Sequence, residues 1–184
     1  NRFHFGVGVS PWYEDFLATG ERWEKRGKRM DEQINILKGL MGGDYFSFKG
    51  EFYDIPELKV CPAPSKPVPI LIGGHSKLAL KRAARVGDGW ISAGLNLEET
   101  KCLIDQINEY RDEFGTLDHP NYQFQVMGEA AYSPQGIEQL EDLGATEVIV
   151  AFRNTYEGGP DERTLDGMIA EINWYAEEVI NKSR

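Results

Sequence analysis

Hydrophobic positions along the chain form two alternating kinds of segment. One kind is a short continuous apolar run, which predicts a buried strand; these runs are 3–9, 70–72, 89–92, 122–132 and 147–152. The other kind has apolar residues every three or four positions, which predicts helices; these stretches are 23–41, 77–86, 103–114, 137–143 and 165–179. Five alternations of strand and helix predict an α/β fold with a parallel sheet whose strands follow chain order.

Two architectures satisfy this alternation: an open doubly wound sheet and a closed (β/α)₈ barrel. A complete barrel has eight units and about 250 residues, whereas this chain has 184 residues. Five units would be the last five of such a barrel. Hydrophobic periodicity alone does not choose between the two.

One segment interrupts the alternation. Residues 46–48 and 51–55 flank Lys49-Gly50, which predicts an antiparallel hairpin with its turn at that pair. Residues 56–69 contain five prolines and predict an extended connector.

Composition narrows the function classes. The net charge of −10 argues against nucleic-acid binding, and no apolar run is long enough to span a membrane. Cys61 and Cys102 are far apart with no metal-ligand spacing, so we expect no metal site and a cytoplasmic protein. The chain starts at Asn1 and a strand follows at once, so we expect it to be part of a longer protein.

The sharpest local motif is the loop Gly73-Gly74-His75-Ser76, which joins the strand at 70–72 to the helix Lys77–Val86. Glycines allow close backbone approach, and a helix N-terminus offers unpaired N–H groups to an anion. The loop therefore predicts either a phosphate cradle or an ordinary turn in which Ser76 caps the helix. His75 is expected to face solvent rather than act in catalysis.

A second glycine motif, Gly6-Val7-Gly8-Val9, ends the first strand. It lacks the third glycine and the later acidic residue of a dinucleotide fingerprint, which excludes a Rossmann NAD site. The glycines still predict a flat surface against which a planar ring could lie.

Other chemistry-bearing residues give weaker signals. His4 is expected to be a satisfied core histidine and His119 to have no special role. Carboxylates that could serve a hydrolase are Glu14, Asp15, Asp44 and Glu129, of which only Glu129 falls on a predicted strand.

Several segments together resemble the bacterial luciferase-like monooxygenases and their deazaflavin-dependent relatives. Their order and spacing, over nearly the whole chain, carry the resemblance; the segments are 5–9, 24–32, 48–53, 69–76 and 82–90. The resemblance implies a luciferase-like TIM (β/α)₈ barrel, of which this chain supplies strands four to eight. It further implies one domain over 1–184, with a family-type insertion at about 42–69.

The resemblance also implies a function. The intact protein would transfer hydride between a small organic substrate and a cofactor, with coenzyme F420 (a deazaflavin) favoured over FMN; FMN would also permit monooxygenation. By resemblance, Gly8 and Val9 lie near the ring, Ile72, Gly73 and Gly74 give backbone contacts, and His75 and Ser76 hold the phosphate. No catalytic residue is assigned, and a homo-oligomer is expected. The alternatives are a non-catalytic flavin-binding or structural remnant, and a carboxylate-based barrel hydrolase.

Overall fold

A computed structural model describes residues 3–153 and 159–183. Its strands are β1 (Phe5–Val7), β2 (Phe46–Lys49), β3 (Asp54–Leu58), β4 (Ile70–Gly73), β5 (Gly89–Ile91), β6 (Gln123–Met127) and β7 (Glu147–Ile149). Its α-helices are α1 (Tyr13–Thr19), α2 (Arg26–Met41), α3 (Lys77–Val86), α4 (Leu97–Glu113), α5 (Pro134–Asp142) and α6 (Leu165–Tyr175). A 3₁₀ segment covers Glu129–Tyr132 and a π-helical segment Ala176–Ile180.

The main sheet follows the predicted chain order. Its five strands are hydrogen-bonded in the order β1-β4-β5-β6-β7, and β2 pairs with β3 in a separate sheet. Strands β1 and β4 are parallel, as are β6 and β7. The prediction of an α/β fold with five alternating units is confirmed.

Contacts divide the chain into two compact units, so the single domain over 1–184 stays a prediction. The first unit comprises Asn1–Trp90 and Ile107–Tyr122. Its core contains all three apolar side chains of β4, together with Leu80 of α3 and Trp90. Because β4 is buried on both faces, its sequence is continuously apolar rather than alternating.

The second unit comprises Ile91–Gln106 and Gln123–Arg184. Val126, Ala131 and Leu140 form its central cluster, and the Tyr175 hydroxyl donates to the Ala131 carbonyl at 2.8 Å. The apolar stripe predicted for the last helix is only partly buried, because the side chains at 165, 169 and 172 on α6 are exposed.

The predicted strand 122–132 is wrong in its second half. Strand β6 ends at Met127, and Glu129 begins the 3₁₀ segment rather than lying on a strand. The Gly128 carbonyl accepts the Ala131 N–H at 3.1 Å, which closes the first turn of that segment, and an added Cβ at Gly128 would lie 2.2 Å from the Leu95 carbonyl oxygen. The chain therefore turns where the local sequence still favours extension.

The hairpin exists, but its predicted turn is misplaced. Lys49 is the last residue of β2 and pairs with Asp54, so the turn is formed by Gly50–Tyr53, whose ends join through a 2.8 Å backbone bond. Strand β3 also continues through Pro56 to Leu58. A proline is tolerated there because β3 has β2 on one side only.

Helix α3 has the predicted bounds, whereas the predicted stretch 23–41 begins as a helix only at Arg26. A separate short helix, α1, precedes it. Among the described residues, none of the helices combines the length and the apolar character that a membrane span requires.

Candidate cofactor-binding site

Two of the glycine motifs meet at one edge of the sheet. Because β1 and β4 are parallel and Val7 pairs with Ile72, the residues after them, Gly8 and Gly73, lie side by side. A Cβ built on Gly8 would contact the Gly73 carbonyl oxygen at 3.7 Å, an ordinary van der Waals distance. Gly8 is exposed and Gly73 half-buried. The result is a bare backbone surface that a flat ring can approach closely.

The start of α3 lies directly after this surface. Ser76 is the N-cap, and its hydroxyl oxygen accepts a hydrogen bond from the Ala79 N–H at 3.3 Å. The first hydrogen bond within the helix is donated by the Leu80 N–H to the Ser76 carbonyl. The N–H groups of Lys77 and Leu78 come before it and therefore have no acceptor within the helix. The prediction that Ser76 caps the helix is confirmed. Its hydroxyl proton can still be donated to an anion.

The loop conformation depends on Gly74 and on a buried tryptophan. Gly74 has φ +113°, and a Cβ there would lie 3.2 Å from the Ala79 Cβ. The Trp90 indole N–H donates to the Gly74 carbonyl at 2.9 Å. A side chain at Gly74 would therefore strain the backbone itself, in addition to blocking a ligand.

The other predicted site residues differ in access. His75 is exposed, with its ring 6.0 Å from that of Trp90. Val9 is half-buried beside Gly8. The Ile72 side chain is fully buried in the core, so only its backbone is available to a ligand.

Asp88 fixes the start of β4, the strand that leads into the loop. One carboxylate oxygen accepts the Ile70 N–H at 2.8 Å, at the start of β4. The other lies 3.2 Å from His119 Nε2. His119 therefore has a role that the sequence analysis did not assign, because it joins the segment after α4 to the strand that carries the loop.

Helix α3 is held against α2 by a mostly buried ion pair. The Arg82 side chain, 9% exposed, donates from Nε to Asp31 at 2.7 Å, and its Nη2 donates to the Gly27 carbonyl at 3.0 Å. Arg85 lies 3.5 Å from the same carboxylate. These residues belong to two of the segments that resemble the luciferase-like family, 24–32 and 82–90. In this structure their side chains pack the two helices together and do not reach the candidate site.

Glu32 on α2 organises the hairpin turn. Its carboxylate accepts the backbone N–H groups of Glu51, Phe52 and Tyr53 at 2.6, 3.0 and 3.1 Å. A carboxylate that accepts several backbone N–H groups fixes a turn that its own residues do not determine. The sequence contained no signal for this long-range contact.

The carboxylates considered for a hydrolase lie on separate segments, except for the neighbours Glu14 and Asp15 on α1. Asp15 accepts a hydrogen bond from the Ser10 hydroxyl at 2.5 Å, Asp44 is exposed, and Glu129 is in the 3₁₀ segment. His4 is half-buried on the approach to β1. The structure brings together the two glycine motifs and Ser76, and of the carboxylates it places Asp15 in one cavity with Gly8 and Val9.

The chain as a whole is similar to known proteins. The family described as luciferase-like monooxygenase matches residues 1–133, so the chain belongs to that family. An uncharacterised protein of Mycobacterium tuberculosis is 46% identical over 182 residues, which cover 99% of this chain and 62% of the relative. The chain thus spans less than two thirds of that relative's length.

Relatives with named activities use two different cofactors. The F420-dependent glucose-6-phosphate dehydrogenase of Amycolatopsis mediterranei is 31% identical over 113 residues, covering 59% of this chain and 34% of the enzyme. The FMNH2-dependent dimethylsulfone monooxygenase of Pseudomonas fluorescens is 36% identical over 103 residues, covering 54% and 28%. The family resemblance is confirmed, and the choice between the two cofactors is not determined by it.

Solved structures agree on the fold. The coenzyme F420-dependent tetrahydromethanopterin reductase of Methanopyrus kandleri has a TM-score of 0.74 at 14% identity, covering 98% of this chain and 74% of that chain. An F420-dependent secondary alcohol dehydrogenase has a TM-score of 0.62 at 18% identity, covering 97% and 62%. The chain is part of a luciferase-like (β/α)₈ barrel, as predicted.

Proposed function

We propose that the intact protein is an oxidoreductase that transfers hydride between a small organic substrate and a deazaflavin, coenzyme F420, held at the ends of β1 and β4. The observation that carries this proposal is the bare backbone surface at Gly8 and Gly73 next to the start of α3. A planar ring fits the backbone surface, and a phosphate fits the start of α3.

Different residues contact the ring and the phosphate of the cofactor in this proposal. Gly8 and Val9 lie against the ring, while Ile72, Gly73 and Gly74 offer backbone groups. Ser76 and the N–H groups of Lys77 and Leu78 hold the phosphate, and His75 flanks it. The dipole of α3 adds roughly 0.3–1 kcal/mol for an anion at this end.

The cofactor supplies the hydride chemistry when it is bound, and the protein's part is to orient it and exclude water. Trp90 fixes the Gly74 carbonyl and Asp88 fixes the start of β4. The Trp90 contact therefore holds the loop in position before the ligand arrives, which lowers the entropic cost of binding.

FMN is the second candidate, because the similarity to an FMNH2-dependent monooxygenase covers 54% of this chain. With FMN the reaction would be a monooxygenation. The phosphate and ring requirements at the site are the same for either cofactor. The expected insertion at 42–69, the expected homo-oligomer and the cytoplasmic location stay predictions.

The test is a fluorescence titration of the protein with F420 and, separately, with FMN. The variant Gly8→Val is compared with the parent, because a Cβ at this position would lie at an ordinary contact distance from Gly73; a thermal melt of both proteins checks that the fold is retained. We expect F420 to bind more tightly than FMN and Gly8→Val to weaken binding about tenfold or more. Equal binding by the parent and Gly8→Val would place the ring elsewhere.

A further inference from the structure

We draw no further inference here: the strongest candidate, the apolar groove of about 610 Å³ between β1, α2 and the β2–β3 hairpin, borders Gly8 of the site already described, and nothing in the part of the chain that the structure describes shows what covers it.

Discussion

Trp90 offers the sharpest test of how the fold prepares the loop. Its side chain is fully buried, and its indole N–H donates to the Gly74 carbonyl at 2.9 Å. Trp90→Phe keeps an aromatic ring but removes this donor. The lost hydrogen bond costs roughly 0.5–1.5 kcal/mol, and the smaller ring leaves a void worth about 1 kcal/mol. We therefore expect a loss of roughly 2 kcal/mol in the free energy of unfolding.

The effect on binding is separable from the effect on stability. If the bond to Gly74 preorganises the loop, its loss, about 1 kcal/mol, weakens cofactor binding about fivefold. Ile107→Val is the control, because Ile107 is fully buried in the same unit and the change costs about 0.5–1.5 kcal/mol. Urea unfolding and fluorescence titration measure the two quantities. Trp90→Phe with the parent's affinity, or Ile107→Val with an equal loss of affinity, refutes the preorganisation argument.

Three further changes test the supporting contacts. Arg82→Met removes the main partner of Asp31 and should lower the free energy of unfolding by roughly 2 kcal/mol in urea melts, less than for a fully buried pair because Asp31 is 31% exposed. Glu32→Gln leaves one acceptor oxygen for three N–H groups, so hydrogen exchange at 51–53 should accelerate relative to β4; unchanged exchange would contradict this role. Burial raises the pKa of Tyr122 above its usual range, so its contribution to stability is complete below about pH 10 and falls as pH rises above that. Tyr122→Phe should therefore lose stability less steeply in alkaline melts than the parent does.

The sequence predicted those elements whose ends are determined locally. Helix α3 has its predicted bounds because Ser76 caps it and Gly87 follows its last residue. Strand β4 was recognisable because burial on both faces requires a continuous apolar run. The same residues form the proposed anion cradle, so the most predictable part of the fold is also part of the candidate site.

The errors came from contacts between distant segments. Residues 122–132 favour extension throughout, but β6 ends at Met127 and the chain turns at Gly128, where close approach of the Leu95 carbonyl leaves no room for a side chain. The hairpin turn was misplaced because Glu32 organises it from another helix. Local pattern carries no information about such long-range pairing.

The central claim is that the ends of β1 and β4 and the start of α3 bind a flavin-type cofactor. The most direct measurement is a ¹H–¹⁵N correlation spectrum of the protein recorded with increasing F420, and then FMN. We predict that the largest shifts occur at the amides of Gly8, Val9, Gly73, Gly74, Lys77 and Leu78. Shifts that cluster on other segments, or their absence with both cofactors, would contradict it.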